Sequence, residues 1–350
     1  MHLDPMSALP RPEWIVLGVN NVCNLHCRMC DVGTRYEKSN FYANLVGTRP
    51  VDMPLDLIKR VIDQTAHQFP GAKLGYGFTE PLIYPHLSES LEYANGLGLY
   101  TAVTTNALML AGHAEALVKA GLNDIFISLD GTPDIHNYIR GNRRSFQRAM
   151  EGIEALLGFR GSPGISVFSV ITEWNIGHLA AFIDYFRHIP LLRLGFLHQN
   201  FTTREVADRH NLTYGNLYPA TESCIAGVQI ENLDLDLLWR EIQEITQGDY
   251  AFPVSFSPEI QTRDRLDLYY KSPQVLFGNR CRDIFRNIMI KSDGTVIPAH
   301  GRCYNLAVGN LYEQDLGAIW CSGVFNRFRD AVTAAGGLLP ACSRCCSAFG

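Results

Sequence analysis

Short apolar runs alternate with longer amphipathic segments between residues 14 and 198, and this alternation constrains the fold more than any other feature of the sequence. The runs are rich in β-branched and aromatic residues, which favours strands over buried helices. They span residues 14–20, 72–78, 99–105, 123–130, 164–172 and 191–198. Between them, segments such as 54–69 and 145–159 repeat apolar residues every three or four positions, as amphipathic helices do. Six such units predict an α/β fold, a partial (β/α)6 TIM-like barrel with a parallel sheet.

The rest of the chain divides into two further segments. After residue 200 the alternation lapses into polar, aromatic and proline-containing sequence, with one helical pattern at 235–247. The C-terminal part is cysteine-rich and contains an Asp-Gly turn between apolar runs at 290–298, which predicts a β-hairpin. We therefore expect a barrel over 1–200, a connecting or substrate-capping segment over 201–276, and a small α+β domain over 277–350.

The composition of the chain limits which binding partners and which cellular compartment we expect for the protein. A net charge of −5 with mixed signs offers no basic surface to phosphate backbones or anionic lipid, so we expect no nucleic acid and no membrane partner. The N-terminus lacks a cationic start followed by an apolar block, and no run approaches the ~18 apolar residues of a membrane span. This predicts a cytoplasmic protein, in which ten cysteines indicate metal ligands or reactive thiols rather than disulfides.

Three of those cysteines, Cys23, Cys27 and Cys30, lie close together after the first predicted strand. They can reach one metal centre, because four extended residues span up to ~14 Å and a loop shortens that distance. Three thiolates leave one position open, which means an incomplete zinc site or a [4Fe–4S] cluster with one iron available to a ligand. His26 can complete a zinc site, so a zinc-stabilised binding module is the alternative interpretation.

The Cys-x3-Cys-x2-Cys motif resembles the signature of the radical S-adenosylmethionine (SAM) enzymes. Further motifs follow in that family's order: GFTEP at 77–81, TTNA at 104–107, and SLDG at 128–131 followed by HNYIRG. The resemblance implies that the three cysteines hold a SAM-binding [4Fe–4S] cluster. It also implies SAM contacts from residues that follow strands two to four, namely Gly77, Thr79, Glu80, Thr105, Asn106, Ser128, Asp130 and Arg140.

Two positions depart from the family pattern. Met29 precedes the third cysteine where the family usually has an aromatic residue, and its apolar side chain can still pack against adenine. Phe78 replaces the second glycine of a Gly-Gly pair, so the SAM amino group is expected to meet Thr79 and Glu80 in a different arrangement. Neither departure removes a cluster ligand.

Six cysteines in the C-terminal part resemble the SPASM and twitch extensions of radical SAM enzymes. A full SPASM domain has about seven cysteines, and commonly one after the hairpin proline, where this chain has Ala299. The resemblance therefore implies one auxiliary [4Fe–4S] cluster, with Cys346 as an alternative to Cys345 and zinc as the alternative metal. Its expected ligands are Cys281, Cys303, Cys342 and Cys345.

Three cysteines, Cys224, Cys321 and Cys346, fall outside both ligand sets. A spare cysteine is commonly a small buried apolar residue. A thiol near the substrate can instead return a hydrogen atom to a carbon radical, as an epimerase requires. Cys224 is the candidate for that role, because it lies in the segment expected near the barrel mouth.

The resemblance implies reductive cleavage of SAM to a 5′-deoxyadenosyl radical, with electrons from an external flavodoxin- or ferredoxin-type donor. The first cysteine motif begins at residue 23, so we expect no leader-binding domain before it, which favours a carbohydrate, aminocyclitol or nucleoside substrate. The one-cluster ending resembles dehydrogenases, so oxidation of a secondary alcohol to a ketone is the expected reaction. Epimerisation, decarboxylation or dehydration of a sugar, and peptide maturation are alternatives.

Polar residues near the predicted barrel mouth are candidates for contacting that substrate. They are Asp31, Arg35, Glu37, His198 and Gln199. The long connection at 31–53 is expected to form part of a lid or a surface excursion. A nicotinamide enzyme is excluded, because GYGFTE has Glu80 where a dinucleotide fingerprint needs its third glycine.

Overall fold

All six predicted strands are present and lie side by side in chain order. In this computed structural model, which describes residues 9–47 and 49–349, the sheet has ten strands in the order β10-β9-β8-β1-β2-β3-β4-β5-β6-β7. The strands are β1 (Trp14–Leu17), β2 (Lys73–Tyr76), β3 (Thr101–Thr105), β4 (Asp124–Ser128), β5 (Gly164–Val170), β6 (Arg193–Leu197), β7 (Val254–Ser257), β8 (Asn287–Ile290), β9 (Thr295–Pro298) and β10 (Gly309–Asn310). Strands β1 to β7 pair in parallel. The α/β fold with a parallel sheet is therefore confirmed.

Helices connect strands of this sheet, and further helices follow its last strand. They are α1 (Asn40–Val46), α2 (Leu55–Gln68), α3 (Leu87–Gly96), α4 (Leu110–Lys119), α5 (Pro133–Arg140), α6 (Ser145–Leu157), α7 (Leu179–Asp184), α8 (Arg204–Tyr214), α9 (Leu235–Gln247), α10 (Arg263–Lys271), α11 (Leu316–Trp320) and α12 (Gly323–Ala334). Helix α2 buries Leu57, Ile58, Val61, Ile62 and Thr65, the stripe that its periodicity predicts. The parallel strands read as apolar runs because these helices cover the sheet.

The segment 201–276 contributes more to the fold than the sequence predicted. Besides the expected helix α9, it contains α8, α10 and the strand β7, which extends the parallel sheet beyond β6. The six predicted barrel strands are all present, and β7 is a further parallel strand that the sequence did not predict, because its four residues, VSFS, give little periodic signal.

The C-terminal part continues the same sheet on the opposite side. Strand β8 pairs in parallel with β1, and β9 returns antiparallel to β8. Gly294 closes the predicted hairpin at φ 79°, a left-handed conformation that favours glycine. The C-terminal part is thereby joined to the first strand of the barrel. The boundaries at 200 and 276 stay predictions, and residues 1–8 and 350, at the outer ends of the first and last segments, lie outside the described residues.

The connection at 31–53 contains helix α1, which the sequence did not predict. Asn40 donates from its side chain to the carbonyl oxygen of Pro219 over 2.6 Å, and Asn44 to that of Gly301 over 2.8 Å. Helix α1 thus bonds to both the middle segment and the C-terminal part, as expected if the connection forms part of a lid. The described residues do not include position 48 of this connection. They also do not include most of the N-terminal sequence in which no targeting signal was found. Within the described ranges, no helix has the length and apolar character needed to cross a bilayer.

Candidate active site

The three clustered cysteines follow β1 on a tightly folded loop. The backbone N–H of Cys30 donates to the carbonyl of Cys27 over 3.2 Å, and Thr34 N–H donates to the carbonyl of Cys30 over 2.9 Å. A Cβ atom on Gly33 would lie 2.4 Å from both the N and O atoms of Cys27. Only glycine lets the chain fold back this closely on the second cysteine.

A cavity of about 530 Å³ lies at the carboxyl ends of strands β1 to β6. Several predicted SAM-site and cluster residues line it, which is where a barrel of this kind places its active site. They are Cys23, Cys27, Cys30, Gly77, Thr79, Thr105, Asn106, Ser128 and Arg140. Met29 also lines the cavity, as expected of a side chain that packs against adenine.

Arg140 connects the cavity wall to the second cysteine. Its Nε atom lies 2.5 Å from Oδ2 of the fully buried Asp130, and its Nη1 atom lies 3.6 Å from Sγ of Cys27. Asp130 is not among the cavity-lining residues, and its Oδ1 atom accepts from the backbone N–H of Val170. Asp130 therefore orients Arg140 and joins β4 to β5, whereas the guanidinium faces the cavity.

Glu80 is also buried beneath the cavity wall rather than exposed in it. Its carboxylate accepts from Thr105 Oγ1 (2.7 Å), from the backbone N–H of Asn106 (2.8 Å) and from that of Leu82 (3.0 Å). Burial raises the pKa of this carboxyl, and these three donors oppose the shift. Glu80 holds the end of β3 against the loop after β2, so Asn106 can reach Cys23, whose Sγ lies 3.9 Å from its Nδ2.

Two residues at the edge of the site carry backbone strain. Phe78 has φ 77° and Ala107 has φ 59°, both in the left-handed region that favours glycine. Such conformations cost about 1–3 kcal/mol each and persist where the surrounding structure enforces them. Both residues border the site, Phe78 in the cavity wall and Ala107 buried directly after Asn106.

The spacing of the first three sulfur atoms does not suit a single zinc ion. Ligands ~2.3 Å from a tetrahedral zinc lie about 3.8 Å from one another. Among the described residues, the one group of three His, Cys, Asp or Glu ligand atoms within 4.8 Å of each other is His300, Cys345 and Cys346. His26 is exposed. Burial raises the pKa of Cys23 to about 11, so metal binding there would displace a thiol proton.

Cys224 lies in the wall of this same cavity, although it is remote in sequence. Its backbone N–H donates to Oδ1 of Asp31 over 2.7 Å, and its carbonyl accepts from Gln199 Nε2 over 2.6 Å. The residue has φ 57°, which is uncommon for a cysteine and is held by these bonds. Burial raises the pKa of the Cys224 thiol, an effect that Asp31 reinforces and Arg302 opposes. The thiol is therefore protonated at neutral pH.

Arg302 separates the cavity from the C-terminal cysteines and lines a cavity on each side. Its Nη1 atom lies 3.5 Å from Cys224 Sγ and 3.2 Å from Ser223 Oγ, and its Nη2 atom donates to Thr202 Oγ1 over 3.1 Å. Ser223 in turn donates to Oδ2 of Asp31 over 2.7 Å. This network fixes the Cys224 side chain at the boundary between the two cavities.

The other predicted substrate residues lie in different places. Gln199 lines the cavity, and its Oε1 atom is buried without a partner. Arg35 and Glu37 are exposed and do not line it, because the turn after Cys30 directs this part of the chain to the surface. His198 is buried behind the wall, where its Nδ1 atom lies 2.8 Å from the Tyr270 hydroxyl. Burial lowers the pKa of His198 to about 3.

The four predicted auxiliary ligands surround a second, enclosed cavity of about 40 Å³. The set that lines it comprises Cys281, Cys303, Cys342 and Cys345. Cys346 is exposed and does not line this cavity, and neither does Cys321. The Tyr304 hydroxyl lies 2.8 Å from Cys342 Sγ. The described cysteines thus accommodate one auxiliary cluster, with Cys345 rather than Cys346 facing it.

Sequence reasoning missed the polar residues that surround these sulfur atoms. Ser223 and Arg302 each directly precede a singled-out cysteine, so their position in the sequence was an available signal. His300 and Tyr304 lie on either side of Cys303 in the HGRCY stretch. Their roles depend on contacts with distant residues, which no local pattern reveals.

Comparisons with known proteins agree with this geometry. A sequence model of the Radical SAM superfamily matches residues 18–186, and a model of the SPASM iron–sulfur cluster-binding domain matches residues 281–346. An AdoMet-dependent heme synthase from Oleidesulfovibrio alaskensis is 27% identical over 180 residues, which cover 51% of this chain and 42% of that protein. The match therefore spans less than half the length of that curated relative.

Solved structures with low sequence identity share the fold. Streptococcus suis SuiB, bound to its precursor peptide SuiA, has a TM-score of 0.64 and 18% identity over 95% of this chain and 71% of that chain. The enzyme anSMEcpe with bound AdoMet has a TM-score of 0.58 and 16% identity over 90% of this chain and 82% of that chain. The partial barrel followed by a C-terminal cluster domain is the architecture they have in common.

Proposed function

Because this chain belongs to the radical SAM superfamily and carries a C-terminal SPASM domain, we propose that it is an epimerase that inverts a carbon centre of a small polar substrate. The single observation that carries the proposal is the Cys224 thiol in the wall of the SAM cavity. A protonated thiol at that place can return a hydrogen atom to a substrate radical.

The residues around the first cavity fit the cofactors of this family. When bound, the cluster and SAM supply a 5′-deoxyadenosyl radical that abstracts a hydrogen atom from the substrate. Cys23, Cys27 and Cys30 would hold the cluster. Cavity-facing groups at or after the carboxyl ends of strands β2 to β4 would orient SAM, among them Thr79, Asn106, Ser128 and Arg140. The apolar wall and helix α1 would exclude water from the radical.

Two features of the Cys224 environment support its role as hydrogen donor. The backbone N–H of Cys224 donates to Asp31, the Nη1 atom of Arg302 lies 3.5 Å from the Cys224 sulfur, and burial raises the pKa of the thiol and keeps it protonated. Its hydrogen would pass to the carbon radical, forming a C–H bond and leaving a Cys224 thiyl radical. One electron and one proton then restore the thiol, the electron coming from an external flavodoxin- or ferredoxin-type protein.

The chemistry of the cavity wall favours epimerisation over oxidation. Oxidation of an alcohol requires a group that removes the hydroxyl proton from the substrate radical. Among the described residues, no carboxylate, histidine or lysine side chain lines this cavity. Epimerisation needs no such base, because only hydrogen atoms are exchanged.

Polar neutral groups support a small polyhydroxylated substrate, of the carbohydrate, aminocyclitol or nucleoside class. Asn200 and Gln199 line the cavity on the side of β6, and the Oε1 atom of Gln199 is buried without a partner. A substrate hydroxyl or amine would satisfy that acceptor. Arg302 offers a cationic group beside them.

Oxidation of a secondary alcohol to a ketone is the second candidate. The observation that favours it is the position of Arg302, which lines both cavities and so brings the auxiliary site next to the substrate space. An auxiliary cluster in the second cavity would lie next to the substrate space, where it can accept the electron that oxidation releases.

Turnover in D2O distinguishes these reactions. The reconstituted protein would be incubated with dithionite, SAM and a panel of aminocyclitols, hexoses, nucleosides and short peptides, and the products analysed by mass spectrometry. Epimerisation predicts a product with one solvent deuterium on carbon and otherwise unchanged composition. A product two hydrogens lighter, with no deuterium on carbon, would replace the proposal with oxidation, and a deuterated peptide would move the substrate to that class.

A further inference from the structure

The loop after β9, residues 299–305, is strained around the auxiliary site. Ala299, Tyr304 and Asn305 have φ values of 46°, 50° and 53°, all in the left-handed region. Three such non-glycine residues within seven positions are costly, and strain of this kind concentrates where a functional geometry is enforced. The contacts made by the side chains of this loop are therefore the place to look for a function.

Two of its side chains point at sulfur atoms of the Cys342–Cys345 pair. The Tyr304 hydroxyl lies 2.8 Å from Cys342 Sγ, and the His300 Nε2 atom lies 3.1 Å from Cys345 Sγ. Both contacts are buried, since Tyr304 is 5% and His300 8% exposed. Cys342 and Cys345 thus each have a polar neighbour from loop 299–305.

The direction of each hydrogen bond follows from the surrounding atoms. The backbone N–H of Arg302 donates to His300 Nδ1 over 3.2 Å, so the ring proton of the neutral imidazole lies on Nε2 and faces Cys345. The hydroxyl of Tyr304 can donate to a thiolate at Cys342. Tyr304 is held in this orientation by stacking on His210, with ring centroids 5.0 Å apart.

We propose that loop 299–305 raises the reduction potential of the auxiliary cluster by donating hydrogen bonds from Tyr304 to Cys342 and from His300 to Cys345. Reduction adds negative charge to a cluster and its thiolates, and donors to those sulfurs stabilise that charge. The inference rests on the proposed ligand set and is independent of the epimerase reaction. It makes His300 and Tyr304 positioning residues of the cluster rather than ligands.

Ser347 provides a control variant, because its removal is expected to shift the reduction potential in the opposite direction. Its hydroxyl oxygen lies 3.0 Å from His300 Nε2 and donates to Oδ2 of Asp283 over 2.5 Å. Ser347 therefore shares the His300 N–H with Cys345. Removal of this competing acceptor leaves the N–H to the sulfur atoms, of which Cys345 Sγ at 3.1 Å is nearer than Cys346 Sγ at 3.8 Å.

The test is an EPR-monitored redox titration of the full chain in which Cys23, Cys27 and Cys30 are replaced by alanine, leaving the auxiliary cluster alone. Tyr304→Phe and His300→Leu are each expected to lower the midpoint potential, with additive effects in the double variant. His300→Gln, which retains an N–H donor, is expected to restore part of the loss, and Ser347→Ala to raise the potential.

Iron content separates failure of this inference from failure of the ligand assignment. If Tyr304→Phe and His300→Leu retain about four irons and titrate at the potential of the unaltered loop, the hydrogen-bond proposal is wrong. A directly bonded nitrogen signal from ¹⁵N-histidine labelling, lost in His300→Leu, would also overturn it, because His300 would then be a ligand.

Discussion

The backbone N–H of Cys224 donates to the Oδ1 atom of Asp31 over 2.7 Å, across 193 positions of sequence. Asp31 directly follows the last cysteine of the first motif, so the loop that would hold the SAM cluster also holds the candidate hydrogen donor. The same carboxylate accepts from the Ser223 hydroxyl, which in turn accepts from Arg302. The buried carboxylate of Asp31 thereby links the first cysteine loop to Cys224 and, through Ser223 and Arg302, to the auxiliary domain.

Removal of that carboxylate should uncouple SAM cleavage from hydrogen return. Asp31→Ala leaves two buried donors unsatisfied, at a cost of about 1–3 kcal/mol each. We expect the ratio of deuterated product to 5′-deoxyadenosine to fall at least tenfold, as measured by mass spectrometry in D2O. Glu37→Ala, which removes an exposed carboxylate from the same segment, should leave the ratio unchanged. An unaltered ratio in Asp31→Ala would show that Asp31 does not position the thiol.

Gly33 provides a test of the first cluster site. The Cβ of Gly33→Ala would clash with the backbone of Cys27 at 2.4 Å, so the loop cannot close around the metal. We expect this variant to lose about four irons per chain, while the auxiliary cluster remains. Gly112→Ala is the matched control, because its Cβ would meet no heavy atom within 4 Å. Full iron content in Gly33→Ala would contradict the assigned site.

The adjacent cysteines 345 and 346 are expected to behave differently. Cys345 is buried and lines the enclosed auxiliary cavity, whereas Cys346 is exposed and does not. Cys345→Ser should therefore lose the auxiliary cluster and about four irons, and Cys346→Ser should retain both. Iron analysis and the EPR signal of the reduced protein measure the outcome. The reverse result would identify Cys346 as the ligand.

His198 should make the protein less stable in mild acid. Burial holds its pKa at about 3, whereas in the unfolded chain it takes up a proton near pH 6.5. Since the unfolded state binds more protons between these values, stability falls as pH decreases below about 6.5, by up to ~1.4 kcal/mol per pH unit. Urea unfolding between pH 5 and 6.5 should show a smaller slope in His198→Asn.

Tyr270→Phe is the control for that measurement. It removes the hydroxyl beside the Nδ1 atom of His198 but keeps the buried imidazole. Its slope should match that of the unaltered protein. Equal slopes in all three proteins would mean that His198 does not contribute to the acid sensitivity.

Local patterns predicted the parts of the molecule in which neighbours in sequence act together. The six strands, helix α9 and the hairpin at Gly294 follow from periodicity and turn chemistry, and the first three cysteines share one loop. The motif residues at the ends of β2 to β4 meet at one cavity because parallel strands place their carboxyl ends together.

Long-range relationships could not be predicted from the same patterns. The contact between Asp31 and Cys224 depends on a segment without clear periodicity, and Glu80 and Asp130 proved to be buried supports because their partners lie on neighbouring strands. Helix α1 was not predicted because its sequence, NFYANLV, is short and partly polar. Tertiary packing, rather than local propensity, decides such cases.

The most direct test of the account compares the unaltered protein with Cys224→Ala, both reconstituted anaerobically with dithionite and SAM in D2O in the presence of the substrate identified from the panel. The account predicts that both proteins form 5′-deoxyadenosine and that only the unaltered protein places solvent deuterium on the product carbon. Deuterated, inverted product from Cys224→Ala at the rate of the unaltered protein would contradict it.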